Sequence, residues 1–324
     1  MIYPEFLKEG DTIGIFAPSA GVGHKLERYT SSLEVLKKEG YLIKETASVR
    51  KNSGRSAGGK RRAQEYKELV KDEKVKMILC AAGGDFMAEM LPYTDLKCLT
   101  EHPKWIMGSS DPTNLLFPLT VKHDIATLYG FNAGYNGKNE RFEKDNLRLL
   151  KGEIPVQRSF TRYKEFIESI QEEKRYLHEV SWKSSKGDVR LEGRLIGGCF
   201  DVIATLIGTP YDGVKDFIER YKDDGILWYF DNFAFNSLQT YLSLLQMKSA
   251  GWFDHCRGIL IGRTAFPNEE SISYEEAYRR VFRNIPYISE MDIGHTDPHF
   301  TLINGALCRL DYKQGKGSLR FFLK

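Results

Sequence analysis

The chain is poor in the features that mark several large protein classes. Its five cysteines (Cys80, Cys98, Cys199, Cys256 and Cys308) are scattered, odd in number and never arranged as CxxC. Neither a zinc site nor a disulfide framework is indicated, no cofactor is called for, and a reducing cytoplasm is the simplest home. No apolar run approaches the ~18 residues of a membrane-spanning helix. The opening MIYPEFLKEGDTIGIF lacks the basic stretch and apolar core of a secretory leader. The net charge is only +3 over 324 residues, and no Lys/Arg stripe interleaves with aromatics, so nothing points to nucleic acid. The densest basic cluster, Lys60-Arg61-Arg62, is followed by Glu65, Lys67, Glu68 and Lys71 and reads as the solvated face of a helix. Neither G-x-G-x-x-G nor G-x-x-x-x-G-K-[ST] occurs, which leaves dinucleotide and P-loop nucleotide binding without support. There is no tandem repeat and no low-complexity segment.

What is present is a globular composition, 41% hydrophobic and 28% charged, long enough for two cores. In the first part, β-rich apolar runs alternate with amphipathic stretches. Strands are expected at Thr12–Pro18, Tyr41–Lys44, VKMILC, KWIM and IATLYG, and helices at KLERYTSSLEVLKKEG and GKRRAQEYKELVKD. This alternation predicts an α/β domain over residues 1–150 with a parallel, Rossmann- or flavodoxin-like sheet. Ligands of such sheets gather beyond the carboxyl ends of the strands. Two of those ends read Gly83-Gly84-Asp85 and Gly108–Asp111, so the two loops are expected side by side. From about Lys138 to Asp188 the chain becomes highly charged, and residues 151–188 read as an irregular linker with exposed aromatics. Residues 189–324 read as a smaller, swivelling α/β domain: LEGRLIGGCFDVIATLIG as strand, glycine turn and helix, GILWYFDN as a buried strand, and a terminal hairpin turning at KQGKG.

WIMGSSDPTN, residues 105–114, carries the candidate chemistry. Gly108 permits a sharp turn, Ser110 or Asp111 can cap a helix, and Pro112 suits its first turn. A capped helix needs no catalysis. The same residues also fit a nucleophile elbow, in which backbone N–H groups at a helix start stabilise an oxyanion, although G-x-S-x-G is not met. A nucleophilic serine needs a base held by a carboxylate. Among seven histidines, His24, His102, His123, His178 and His255 sit among polar residues and read as surface positions. His295, in the turn-rich loop MDIGHTDPHF, is the better base candidate, with His299 a weaker competitor.

Seven segments, in order, resemble the LD-carboxypeptidase family of serine peptidases, which includes muramoyl-tetrapeptide carboxypeptidases and microcin C immunity peptidases. They are LKEGDTIGIFAPSAG, VKMILCAAGGDFMAEMLPYTD, KWIMGSSDPTNLL, LIGGCFDVIATLIGTPY, GILWYFDN, KSAGWFDHCRGILIGR and DIGHTDPHFTLINGALCRLD. The resemblance implies a Ser–acid–His triad with Ser110 as nucleophile and His295 as base, and an oxyanion hole of backbone N–H groups at Gly84 and Asp111. It implies a small peptide substrate such as a murein tetrapeptide, release of a terminal D-amino acid in peptidoglycan recycling, and a homodimer. Asp231 stands where the family carries glutamate. One methylene less leaves its carboxylate roughly 1.5 Å short on an unchanged backbone. Cys199 stands where many relatives carry asparagine and reads as packing. Two other readings follow: an immunity-type hydrolase of peptidyl- or aminoacyl-nucleotide analogues, with Phe160, Tyr163, Phe166 or Tyr176 stacking on adenine, and a catalytically weakened peptide-binding homologue.

Overall fold

The computed structural model describes residues 1–134, 140–171 and 175–324. Lys138 and Asn139, at the start of the charged stretch, and Glu172–Lys174 within it lie outside the described residues. The chain divides into two compact units, Met1–Pro155 with Thr301–Asn304, and Val156–Phe300 with Gly305–Lys324. Residues 156–188 thus cluster with the second unit, and the two units are similar in length.

In the first unit, strands β1 (Thr12–Phe16), β2 (Leu42–Glu45), β3 (Val75–Cys80), β4 (Trp105–Gly108) and β5 (Thr127–Tyr129) pair in the order β5-β4-β3-β1-β2, all parallel. This is the flavodoxin-like order. The strands are mostly apolar because helices cover both faces of such a sheet; β1 after Thr12, and all of β4 and β5, are buried. Helices α1 (Leu26–Lys38), α2 (Gly59–Lys71), the short α3 (Cys98–Glu101), α4 (Thr113–His123) and α5 (Arg141–Leu150) complete the unit. The sequence expectation for α2 is corrected. Arg62 and Glu65 are not part of a solvated face but are fully buried. Glu65 accepts hydrogen bonds from the Thr46 and Ser48 hydroxyls, both at 2.8 Å, which satisfies a charge that burial would otherwise penalise.

The second unit holds the short strands β6 (Gln157–Arg158), β7 (Arg162–Tyr163), β8 (His178–Glu179) and β9 (Lys183–Ser184), with helix α6 (Phe166–Ile170) between β7 and β8. Its main strands are β10 (Val189–Cys199), β11 (Ile226–Asp231), β12 (Cys256–Gly262) and β13 (Tyr287–Met291), mutually parallel and in that order. Helices α7 (Phe200–Leu206), α8 (Val214–Arg220), α9 (Ser237–Ser249) and α10 (Tyr274–Phe282) link them. The glycine turn expected at Gly197-Gly198 does not form. β10 runs straight through it to Cys199, and a Cβ on Gly197 would sit 2.0 Å from the Tyr229 carbonyl oxygen. The glycine serves close strand approach rather than a change of direction. Before the terminal hairpin, β14 (Leu302–Asn304) pairs antiparallel with β5 in the first unit. The hairpin itself, β15 (Leu307–Lys313) and β16 (Lys316–Phe322), forms as its turn residues predict. Among the described residues no helix is long and apolar enough to cross a membrane.

Candidate active site

In each unit, candidate residues lie at or just beyond the carboxyl ends of the strands. In the first unit, β3 and β4 are register neighbours (Leu79 opposite Met107), so the loops that leave them meet, as expected. A Cβ on Gly83 would lie 3.0 Å from the Ser110 Cβ and 3.2 Å from its Oγ; only a glycine lets that loop come so close. Ser110 itself has φ +67°. The left-handed region costs a non-glycine residue about 1–2 kcal/mol, and a strained strand-to-helix turn that presents a hydroxyl is the defining geometry of a nucleophile elbow. A capped helix would not require this strain. The neighbouring serine is otherwise engaged: the Ser109 Oγ accepts from the Asn132 amide at 3.1 Å, and its N–H donates to the Asn132 Oδ1 at 3.2 Å.

The capping expectation is corrected. Pro112 occupies the N-cap position of α4, without a side-chain cap. The buried Asp111 carboxylate instead accepts the Met87 N–H and the Asn114 amide, both at 2.8 Å, and so fixes the chain that follows Gly84. Burial raises the Asp111 carboxyl above its ordinary pKa, against the pull of its Ser19, Met87 and Asn114 hydrogen bonds. Arg62, missed in the sequence because its neighbours are charged and helical, braces the same region. Its guanidinium donates to the carbonyl oxygens of Pro18 and Phe86, which follow β1 and β3. The Ser110 N–H donates to the Tyr129 hydroxyl at 3.1 Å. Among the described residues no protein acceptor takes the N–H of Gly84 or of Asp111. These are the two groups named for an oxyanion hole.

In the second unit, Asp231 ends β11 and is 1% exposed. His295 lies in the loop after β13, and its Nδ1 is 3.0 Å from the Asp231 Oδ1 and 2.9 Å from Oδ2. Gly294 makes this approach possible: its φ is +98°, and a Cβ there would stand 2.0 Å from the Asp231 Oδ1. The shorter carboxylate therefore reaches the imidazole. Burial disfavours the charged imidazole, but the Asp231 charge and hydrogen bond, with a smaller contribution from Asp201, outweigh it and raise the His295 pKa above the usual 6.5. Phe233 stacks on the His295 ring at 4.1 Å between centroids, and Phe166 meets it edge-on at 6.0 Å. A base with one nitrogen held by a carboxylate and its ring clamped by aromatics is ready to accept a proton on the other nitrogen.

The competing candidates are placed otherwise. His299 is buried, with Nδ1 3.6 Å from the Asp297 Oδ1. His24, His102 and His255 are exposed, His123 is half-buried, and His178 pairs with Glu168 at 2.9 Å. Three of the four linker aromatics pack elsewhere. Phe160 lies against Phe300, Tyr163 under the Arg263 guanidinium, and Tyr176 beneath the Lys164 ammonium. Only Phe166 borders His295. Cys199 faces Asp231 across the β10–β11 register.

Family models for the LD-carboxypeptidase N-terminal and C-terminal domains match residues 13–130 and 192–310, respectively. The chain belongs to the LD-carboxypeptidase family. It is thereby a hydrolase of peptidase type. This LD-carboxypeptidase homologue is 24% identical to the microcin C7 self-immunity protein MccF of Escherichia coli, over 94% of this chain and 92% of the relative. It is 25% identical to a probable murein peptide carboxypeptidase of Bacillus subtilis (strain 168), over 94% of this chain and 89% of the relative. A solved structure of the MccF protein in complex with aspartyl sulfamoyl adenosine superposes with a TM-score of 0.80 at 22% identity, covering 98% of each chain. That likeness extends the agreement to the fold, a two-domain α/β architecture built on parallel strands.

Proposed function

We propose that this member of the family is a serine-type LD-carboxypeptidase that removes the terminal D-amino acid from murein tetrapeptides. Ser110 is the nucleophile. His295 takes its proton as the hydroxyl attacks the terminal amide carbonyl, and Asp231 orients the imidazole and stabilises its charged form. The backbone N–H groups of Gly84 and Asp111 receive the oxyanion. His295 then protonates the leaving amine, and water hydrolyses the acyl-enzyme with the same imidazole as base. The reading rests most on the Asp231–His295 pair at 2.9–3.0 Å. The substitution of aspartate for glutamate was the strongest sign of a weakened homologue, and the bonded pair argues against that reading. Cytoplasmic recycling of murein peptides by a homodimer is the setting we propose, and size-exclusion chromatography with light scattering would test the assembly. Incubation with murein tetrapeptide should release D-alanine, detected by mass spectrometry. A Ser110→Ala variant that releases it at the same rate would remove the serine from the mechanism.

A second reading is an MccF-type hydrolase of aminoacyl-nucleotide analogues. It is favoured by the name of the Escherichia coli relative and by Phe166 beside His295, a ring able to stack on a base. Cleavage of aspartyl sulfamoyl adenosine, with the tetrapeptide untouched, would select it.

A further inference from the structure

The carboxyl ends of β10 and β11 place a third reactive side chain beside the acid–base pair. One ligand-capable atom from each of Cys199, Asp231 and His295 lies within 4.8 Å of the other two. Cys199 is fully buried and Asp231 almost so, while the His295 side chain keeps 18% of its surface open. We infer that these three residues form a binding site for a thiophilic divalent cation, zinc being the probe of choice, and that its occupancy switches the hydrolase off.

The donor set suits such an ion. Thiolate, imidazole and carboxylate are the three side-chain types that zinc takes, at about 2.3, 2.0–2.1 and 2.0–2.2 Å, with a fourth position left to water. Donors around one ion at those bond lengths stand roughly 3–4 Å apart. The Asp231–His295 separation of 2.9–3.0 Å is already at the short end of this range, and the cluster, now within 4.8 Å, draws in around the ion when it binds. Charge is also favourable. The thiolate and the Asp231 carboxylate balance the dication; the thiol now donates to the Asp201 Oδ1 at 3.2 Å, and that hydrogen bond is given up for the bond to the ion. Binding releases the thiol proton to solvent.

Inhibition follows from the imidazole, and this part rests on the function proposed above. If the ion takes Nε2, the lone pair that would accept the serine proton is gone. If it takes Nδ1, the ring carries its hydrogen on Nε2 and cannot act as base there. Either way His295 is lost to catalysis.

Cobalt(II) and zinc titrations of the whole chain test the binding without any substrate. The wild type should bind one cobalt ion and show a thiolate-to-cobalt charge-transfer band, which zinc abolishes. Cys199→Ser should lose the band, and Asp231→Asn and His295→Ala should weaken binding by more than the roughly 10–100-fold that loss of a supporting partner costs. Cys256→Ser controls for an adventitious surface site, since exposed His255 precedes that half-buried cysteine, and should change nothing. A band that survives Cys199→Ser, disappears with Cys256→Ser, or never forms in the wild type overturns the inference. Reversal of zinc inhibition by a chelator, in wild type but not Cys199→Ser, supports the switch. Binding without inhibition refutes the switch alone, and a chain that binds cobalt but cleaves neither candidate substrate refutes the proposed function instead.

Discussion

Gly294→Ala isolates the feature on which the acid–base pair depends, because it alters neither residue of the pair. Two costs follow from the structure. The left-handed backbone at φ +98° penalises alanine by about 1–2 kcal/mol. In addition, the new methyl group would stand 2.0 Å from the Asp231 Oδ1, whereas ordinary contact begins at 3.4 Å. Either the carboxylate or the His295 loop must give way by about 1.4 Å, the difference between those distances. A separation of 2.9–3.0 Å stretched by that amount is no longer a hydrogen bond. The backbone cost is small against the roughly 5–15 kcal/mol that usually holds a domain together, and the displacement is confined to one loop, so the variant should remain folded. Its nucleophile should nevertheless lose most of its reactivity. Uncoupling the carboxylate of a Ser-His-acid triad costs up to about 10⁴ in kcat, and we expect a loss of roughly two to four orders of magnitude. The assay is the rate of fluorophosphonate labelling at Ser110, followed by intact-mass spectrometry, with circular dichroism as the check on folding. It needs no knowledge of the substrate. A folded Gly294→Ala protein that labels at the wild-type rate would refute the claim that Gly294 is there to admit Asp231 to His295.

The raised His295 pKa fixes the direction of the pH response. A base must be neutral, so activity should fall as pH drops through a value above 6.5. In Asp231→Asn both upward influences of Asp231 are gone and burial remains, so the acid limb of kcat/KM should move to lower pH. By the same linkage, the stability contributed by the charged pair is complete below pH 6.5 and is lost as pH rises through the elevated pKa. The melting-temperature gap between wild type and Asp231→Asn should accordingly narrow from pH 6 to pH 9. At Ser110, glycine relieves the left-handed strain and alanine does not. Denaturant melts should therefore find Ser110→Gly more stable than Ser110→Ala by about 1 kcal/mol, with both variants inactive. Arg62→Leu strips a hydrogen bond from the buried Pro18 carbonyl oxygen, at about 1–3 kcal/mol, and another from the part-buried Phe86 carbonyl. It should reduce stability and, by loosening the loops after β1 and β3, lower kcat more than it raises KM.

Much of this site could be read from the residues because each clue was local. Alternating apolar runs and charged helical stretches located the first sheet and its parallel character, whereas the strand order came from the structure. Gly83-Gly84 and Gly108–Asp111 mark strand ends, and strand ends are where such sheets keep their chemistry. What escaped depended on partners distant in sequence. Arg62 looks solvated beside Lys60 and Arg61; the Pro18 and Phe86 carbonyls and the Glu89 carboxylate, all distant in sequence, give a buried guanidinium somewhere to donate. Gly197-Gly198 looked like a turn because glycine permits one, yet the crowding Tyr229 carbonyl across the sheet is what requires it. Asp111 satisfied the local rules for a helix cap, whereas its carboxylate was taken by Met87, far back in the chain. Asp231 seemed too short for its task, yet its carboxylate meets the His295 Nδ1, a contact between residues distant in sequence.

The central claim is that one hydroxyl, one imidazole and one carboxylate act as a unit. Residues of such a unit are strongly non-additive, since removing one removes the function of all. The direct measurement is a double-mutant cycle on turnover of the cognate substrate, comparing Ser110→Ala, His295→Ala and the pair. The account predicts that the double variant is no slower than the slower single variant. Losses that multiply across the two positions would contradict it.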